Sequence, residues 1–499
     1  MNQTYRQLAA ALLSAAPALA QAPPAGSGFA ADRLPPAPDR PVVRGVSADL
    51  PTVLPRVELA APKADVKDAN TLPIDLPTAL RLANASNPTI AIAQVRVLEA
   101  LARVDAADAL RLPTVSAGAI YTRHDGIDQN RRADLFRISR GSVFAGGGVS
   151  LRVDLAEAYF QPLVARRLAD AEAAAARATA NNTQFDVVSA YFDLVQAHAL
   201  LEINADILAR AEEILRAARA GERQGIIKTA ADVNRAETEV SLRKLERQEL
   251  AARTAVASAN LVRLLVLDPA VVLVPADPAA VPIDLIPTDT PVRALIEQAV
   301  RERPELRAAA LQVDAADARA RQARLSPLLP KVQADYLGGG FGGGTNGSIS
   351  NPEGRGDLTA QVFWELRGLG FGTAADIRLR QAERDRAVLT AVAAKAQVGA
   401  EVSGALRAAR ARQAGIEDAR NAAREAQEMF RKLSATSFGM IGPRGQFDAL
   451  EPLSAVQSLS QSRLQLLAAT VEYNRAQYRL FTAVGQPASV AAPAAPKTP

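Results

Sequence analysis

Hydrophobic and polar residues alternate with a period of two in four segments of the chain. Three are clear, at residues 149–155, 332–336 and 358–366, and a weaker one covers 115–123. This alternation predicts strands with one apolar and one polar face. We expect strands at about 113–124, 143–155, 330–341 and 355–366, with long polar loops at 125–142 and 338–356. Such strands could span a membrane as a barrel wall around a wet lumen. Amphipathic hairpins on a soluble protein are the alternative.

Two very long stretches, about 155–220 and 372–437, have a helical pattern that only Pro162 interrupts. Roughly 65 residues of helix would extend about 100 Å. Apolar residues in the first stretch follow coiled-coil spacing, at Phe185, Val188, Phe192, Val195 and Ala199. A second apolar stripe, from Leu200 to Ala218, lies on an adjacent face. Two apolar stripes indicate that the helix has neighbours on both sides, as in a ring of helices. A long two-stranded coiled coil is the alternative.

Each long helix is predicted to end at a turn that contains glycine and to return as a shorter helix. The turns are at 221–227 and 437–445, and the returning helices are at about 230–267 and 448–485. Glycine at a helix exit supplies the positive φ angle that this position prefers.

The same landmarks occur twice along the chain and in the same order. Asn87-Pro88 and Arg303-Pro304 are 216 residues apart, Pro113 and Pro330 are 217 apart, and Gly225 and Gly439 are 214 apart. This internal duplication predicts one architecture used twice. We place the first structural repeat at 73–287 and the second at 288–487.

The two ends of the chain have different patterns from the repeats. Arg6, the apolar run 8–13 and Ala18-Leu19-Ala20 predict a secretory signal peptide at 1–20. A leader rich in proline and alanine follows at 21–72, and we expect a disordered tail at 488–499. No later segment has eighteen consecutive apolar residues, so a chain that crosses a bilayer would have to do so by strands.

Composition argues against several classes of function. The 499 residues include no cysteine and only two histidines, so a zinc site is not indicated. The net charge is +5, but the basic residues form no block, so nucleic-acid binding is not indicated either. The glycine run 338–344 lacks the Lys-Ser/Thr and the helix start of a phosphate loop. We therefore expect no enzyme activity and no cofactor.

Four strands in one chain are too few to close a pore. Open strand edges cannot face lipid, because unpaired N–H and C=O groups cost several kcal/mol each. The chain is therefore expected to oligomerise around an axis. Three copies would give a twelve-stranded barrel, and two or four copies stay open at this point.

Several short runs carry a resemblance to a known family. They are residues 79–88, Leu112-Pro113, 231–237 and 364–372, and they occur in order within the duplicated frame. From about residue 76 to 486 the chain resembles the TolC-like outer-membrane efflux proteins. The resemblance implies a mostly α-helical homotrimer with a twelve-stranded barrel in the outer-membrane lipid and an α-helical tunnel in the periplasm. It also implies docking to a periplasmic adaptor and an inner-membrane pump, in efflux or in type I secretion.

The resemblance also assigns roles at the two helical turns. Gly225-Ile226 and Gly439-Met440 match the tips where the adaptor docks. Asp448 and Glu451 match acidic residues at a periplasmic constriction. Asp232 matches a tip aspartate whose pairing with a basic residue helps to hold the tunnel shut, and Arg444, in the inserted run 442–445, is a possible partner.

Local capping explains the same acidic residues equally well. Asp448 and Glu451 have the spacing of a capping box, and Asp232 lies in a first helical turn, where a negative charge suits the helix dipole. The alternative function is a soluble periplasmic coiled-coil scaffold or adaptor. Four alternating strands and the duplication argue against it.

Overall fold

The computed structural model describes residues 70–225, 229, 231–276, 281–346, 348–439 and 449–491. The helices are α1 (Leu76–Ser86), α2 (Pro88–Asp108), α3 (Leu155–Arg223), α4 (Ala231–Leu265), α5 (Val292–Glu302), α6 (Pro304–Leu325), α7 (Phe371–Gly439), α8 (Leu450–Ala483) and α9 (Ala488–Ala491). The strands are β1 (Asn70–Ile74), β2 (Thr114–Gln129), β3 (Leu135–Asp154), β4 (Val271–Pro275), β5 (Lys331–Thr345) and β6 (Ser350–Phe363). Short 3₁₀ turns cover Ala109–Arg111 and Arg367–Gly370.

The order of the elements confirms the predicted duplication. A short helix, a longer helix, two strands, a very long helix and a returning helix occur twice in succession. Helices α1 and α5 each have 11 residues, and α3 and α7 each have 69. At 1.5 Å per residue, each long helix extends about 100 Å.

The strands of both repeats form one antiparallel sheet, in the order β2-β3-β5-β6. One row of facing residues crosses all four strands and consists of Val115, Val149, Tyr336 and Leu358. The alternation predicted from the sequence therefore becomes a shared apolar face, because paired strands keep their side chains in register.

The strands are longer than the alternation predicted. The prediction of long loops at 125–142 and 338–356 is therefore wrong. Most of both segments is strand, and the connections are limited to residues 130–134 and 346–349. Glycines hid the period of two in 338–356, because they carry no side chain, and the polar run from Asp128 to Asp134 hid it in 125–142. In the sheet, Gly146 and Gly147 of β3 face Gly339 and Gly338 of β5. A Cβ atom on Gly148 would lie 2.6 Å from the Tyr336 carbonyl oxygen, so the strands pack too closely for larger residues.

The helices pack around two main apolar clusters along α3. Val188, Phe192 and Val195 of the predicted coiled-coil stripe are buried against Leu261 of α4 and Tyr478 of α8. The second stripe is buried farther along, where Ile207, Ile214 and Ala218 pack against α4, α7 and α8. Both stripes have helical neighbours, in agreement with a ring of helices. Among the described residues, no helix is both long enough and apolar enough to cross a bilayer.

A small parallel sheet and a short helix were not predicted. Strand β1 pairs with β4, from Asn70 opposite Val271 to Ile74 opposite Pro275, so the leader does not continue to residue 72 as expected. Helix α9 covers 488–491 of the predicted tail, where the Ser489 amide donates to Gln184 Oε1 at 3.1 Å. The predicted signal peptide and residues 21–69 lie outside the described residues, as do 492–499.

Candidate periplasmic tip and channel surfaces

The first hairpin turn begins as the sequence predicted. Helix α3 ends at Arg223, and Gly225 has a φ of +68°, the left-handed conformation that glycine adopts without strain. In the second hairpin, Gly439 is the last residue of α7. Ile226, Met440, Arg444 and Asp448 lie outside the described residues.

Asp232 is fixed inside the start of α4. Its side chain is 1% exposed. Its Oδ2 atom accepts a hydrogen bond from the Thr229 amide at 3.2 Å, and its Oδ1 atom accepts one from the Arg235 guanidinium at 3.0 Å. The basic partner of Asp232 among the described residues is thus Arg235, one turn along the same helix. This arrangement ties the turn to α4, as an acidic residue at a helix N-terminus does.

Glu451 is exposed in the first turn of α8. The predicted capping box would need Asp448 as the N-cap, three residues before Glu451. Helix α8 begins at Leu450. Asp448 lies outside the described residues, so the capping box stays a prediction. The Glu451 carboxylate stays available to solvent.

The two hairpins pack together next to these turns. Ala449 and Leu453 at the start of α8 are buried with Val233 of α4, Ile214 of α3 and Phe430 of α7. The ends of all four long helices therefore form one apolar cluster, and a displacement of one turn must disturb the other.

Charged residues also join the hairpins. Arg243 of α4 is 15% exposed and donates to Glu239 and Glu246, both at 2.8 Å, and to Ser460 of α8 at 3.3 Å. Gln457 of α8 also donates to Glu239, at 3.0 Å. The signal in the sequence was the i,i+4 pair Glu239–Arg243, but the α8 partners are more than 200 residues away.

A second charged link connects α3 to α8. Arg463 donates to Asp206 at 2.5 Å and to Gln427 of α7 at 2.8 Å, and Arg210 also donates to Asp206, at 2.9 Å. Partial burial raises the pKa of Asp206, but the hydrogen bonds from Arg210 and Arg463 outweigh burial and lower this pKa below its ordinary value.

The described part of the chain holds no candidate metal centre. Among the described residues, no group of three or more His, Asp or Glu side chains could hold a metal ion.

The comparison with known families covers both repeats. Residues 79–265 and 295–486 match the profile of the family described as outer membrane efflux protein. The chain belongs to this family. Its members are channels of the bacterial outer membrane, so the chain is an outer-membrane efflux channel subunit whose helical tunnel lies in the periplasm.

Solved structures show that the fold of this outer membrane efflux protein is shared. A membrane protein from Pseudomonas aeruginosa is 20% identical with a TM-score of 0.69, over 85% of this chain and 98% of that one. The outer membrane protein VceC from Vibrio cholerae is 17% identical with a TM-score of 0.68, over 82% and 96%. The CmeC outer membrane channel of Campylobacter jejuni is 15% identical with a TM-score of 0.66, over 82% and 85%. No curated protein is significantly similar in sequence.

In an outer membrane efflux protein, the two faces of the sheet meet different solvents. The apolar rows, such as the one from Val115 to Leu358, suit contact with lipid. On the opposite face, Ser150 donates to Asp335 at 2.5 Å, Gln333 donates to Asp335 at 2.6 Å, and Gln361 donates to Gln333 at 3.1 Å. This hydrogen-bonded network joins three strands, β3, β5 and β6, and suits a water-filled lumen.

The polar face ends at a charged cavity where the sheet meets the helices. Lys331 contacts Asp154 at 3.4 Å and Glu365 at 2.6 Å. The cavity has a volume of about 390 Å³, and Arg319 of α6 and Arg380 of α7 also line it. Sequence reasoning missed this cluster, because its members come from both repeats.

Proposed function

We propose that three copies of this chain form a passive conduit from the periplasm to the exterior, in a tripartite efflux or type I secretion system. The open edges of the sheet carry this proposal. Among the described strands, β2 and β6 each have one edge without a strand partner. Such edges cannot face lipid, and pairing β6 of one copy with β2 of the next would close a twelve-stranded barrel after three copies.

The helices provide a second surface for self-association. On α4, the exposed residues Leu242, Leu245, Glu249, Ala252 and Val256 are spaced alternately by three and four positions. This is coiled-coil spacing on the face of α4 turned away from its own chain. Helix α7 has an exposed row of small residues at Ala408, Ala411 and Ala422. Large residues of one copy packing against small residues of the next would complete the ring of helices.

The tip is where we propose that the adaptor and the inner-membrane pump act. Gly225, Ile226, Gly439 and Met440 mark the turns available for adaptor docking. The shared apolar cluster supports this role, because a force on one hairpin turn reaches the other. Docking would open the conduit, and the pump would supply the energy; the chain itself would catalyse no reaction.

We also propose that Asp448 and Glu451 line the constriction of the closed tip. The exposed carboxylate of Glu451 supports this role. Asp232 acts indirectly in this proposal, by holding the first turn through Thr229 and Arg235, with Arg444 as the basic residue of the second turn. Three copies would bring these carboxylates together around the axis, where they would favour cations.

Purified mature protein in detergent and in planar bilayers tests the proposal. We expect a trimer by mass measurement and ion conductance in bilayers. The combined change Asp448→Asn and Glu451→Gln should reduce the cation preference of the channel. The control Glu213→Gln with Glu425→Gln removes two exposed carboxylates from the helices and should leave the preference unchanged.

Two outcomes contradict separate parts of the proposal. A monomer that osmotic shock releases from cells and that gives no conductance would refute the conduit. A conducting trimer whose ion selectivity is the same in the Asp448→Asn/Glu451→Gln variant would refute only the constriction.

A further inference from the structure

The two strand-to-helix junctions differ, although the duplication relates them. In the first repeat, β3 passes directly into α3, and Asp154 caps the helix by accepting from the Glu157 amide at 3.1 Å. In the second repeat, the seven residues 364–370 separate β6 from α7. This second junction has no counterpart in the first repeat.

The backbone of the second junction turns a leucine outward. Gly368, Leu369 and Gly370 have φ angles of 57°, 53° and 92°. Glycine accepts this left-handed conformation, but it is unfavourable for leucine. Leu369 is nevertheless 92% exposed. Contacts within the described chain therefore do not explain why a leucine occupies this strained position.

Other large apolar side chains of the junction are also uncovered. Trp364 is 61% exposed, and Leu366 and Phe371 are exposed to a similar or greater extent. Together with Leu369, these residues form what we call the junction patch. A concentration of four large apolar residues in eight positions marks a surface that meets an apolar partner.

The sheet indicates which direction the junction patch faces. Trp364 and Leu366 continue the every-second-residue series of Leu358, Ala360 and Val362, which forms part of the apolar face of β6. A neighbouring copy would approach β6 through its edge, in the plane of the sheet. Residues of the apolar face point out of that plane, toward lipid.

Trp364 is chemically suited to the boundary of a membrane. Its indole nitrogen donates to the Leu328 carbonyl oxygen at 3.3 Å. Because this donor already has a partner, the ring can enter an apolar layer without losing a hydrogen bond to water. Tryptophan is enriched at the level of lipid headgroups, where its ring is amphipathic.

We propose that the junction patch inserts into the headgroup boundary of the phospholipid leaflet at the periplasmic end of the barrel. The proposal rests on the proposed function, because it requires the sheet to form the barrel wall. The patch anchors the second repeat to the membrane surface and thus fixes the height of the barrel in the bilayer. In the first repeat, β3 passes straight into α3 at Asp154, so no separate junction segment carries such a patch there.

The chain supplies its own probe, because Trp364 is the only tryptophan. Its fluorescence is measured in trimers reconstituted into phosphatidylcholine vesicles, with and without lipids brominated near the headgroup end of the acyl chains. We expect strong quenching by brominated lipid and weak quenching by aqueous iodide. The change Leu366→Ser with Leu369→Ser should reduce lipid quenching about twofold while conductance persists. The control Leu389→Ser changes an exposed leucine of α7 well below the junction and should leave quenching unchanged.

Three outcomes overturn the proposal. Trp364 could be quenched freely by iodide, which would place it in water. It could be protected from both quenchers, which would place it under a neighbouring copy. Lipid quenching could be equal in the Leu366→Ser/Leu369→Ser variant and the wild type, which would mean that Leu366 and Leu369 do not help to insert Trp364 into the membrane. Each of these results with normal conductance leaves the proposed conduit intact, whereas loss of conductance in the wild type would refute the conduit itself.

Discussion

The two returning helices, α4 and α8, are counterparts in the duplication but lie in different surroundings. They have 35 and 34 residues. Helix α8 packs against α7, α3 and α4, and Tyr473, Asn474, Gln477 and Tyr478 are buried on it. Helix α4 leaves large apolar residues exposed, including Leu242, Leu245 and Val256. Helix α8 is therefore central in the subunit, and α4 keeps an open face.

The difference shows how a duplicated element acquires two roles. Helix α8 is already surrounded within one chain, and it holds residues 281–286 with the neutral amides of Asn474 and Gln477, which are less costly to bury than charges. Helix α4 turns Glu239 and Arg243 toward α8 and its uncovered apolar residues away. Of the two copies of the returning helix, α8 thus forms part of the interior of the subunit, and α4 offers a surface for association.

Removing the charged link between the two helices should have the largest effect on this arrangement. We expect Arg243→Met to lower the free energy of unfolding by about 2–4 kcal/mol per subunit, because Glu239 would remain buried beside Glu246 without a cation. The apparent melting temperature of the trimer in detergent measures this loss. The control Arg253→Met changes an exposed residue of the same helix that has no ion pair among the described residues.

Restoring charge balance distinguishes electrostatics from packing. Adding Glu239→Gln to Arg243→Met should recover part of the lost stability, since a neutral side chain replaces the buried carboxylate. Equal melting temperatures for Arg243→Met and Arg253→Met would mean that the link between α4 and α8 contributes nothing.

A smaller effect should distinguish how each returning helix holds a neighbouring segment. Gln477 of α8 is 0% exposed and accepts from the amides of Leu285 and Ile286 at 3.3 and 3.1 Å. In α4, the Ser258 hydroxyl accepts from the Leu273 amide at 2.7 Å. We expect Gln477→Leu to cost about 2 kcal/mol and Ser258→Ala about 1 kcal/mol.

Hydrogen exchange gives the local measurement for this pair of variants. Gln477→Leu should speed amide exchange at residues 281–286 and leave β4 unchanged, whereas Ser258→Ala should do the reverse. Faster exchange in both segments for either variant would show that the two helices do not act on separate neighbours.

Local sequence patterns predicted the elements in which the alternation of apolar and polar residues along the chain matches the buried and exposed faces. Val149 and Leu151 reveal a two-faced strand because their polar neighbours alternate with them. Val188 and Val195 reveal a helix that is packed along one stripe. The landmark Asn87-Pro88 lies at a helix start, where the Asn87 side chain accepts from the Thr89 amide at 2.9 Å.

The missed features depend on residues that are far apart in the chain. Strand β1 pairs with β4 about 200 residues away, and both are only five residues long and contain proline. Arg303-Pro304 is the counterpart of Asn87-Pro88, but its side chain has a different role. Arg303 does not cap the helix and instead pairs with Glu401 at 2.5 Å. At the candidate site, the positions of the turns were predictable from glycine and charge. The burial of Asp232 and Arg243 was not, because their surroundings come from tertiary packing.

The smallest predicted effect is a dependence on pH at the link between α3 and α8. The pKa of Asp206 is lowered in the folded chain by Arg210 and Arg463, despite the opposing effect of burial. Because the folded pKa is lower than the unfolded value of 3.8, Asp206 stabilises the fold at any pH above 3.8. This stabilisation is lost as the pH falls through the folded pKa. Because this carboxylate is partly exposed, we expect a contribution of less than about 1 kcal/mol at neutral pH.

The variant Asp206→Asn measures this contribution against the exposed control Asp170→Asn. Wild-type protein should melt at a higher temperature than Asp206→Asn at pH 7, and the two curves should converge as the pH falls from the unfolded value of 3.8 through the lower folded pKa. Asp170→Asn should follow the wild type throughout. A difference between wild type and Asp206→Asn that persists at low pH would mean that the shape of Asp206, and not its charge, joins α8 to the first hairpin.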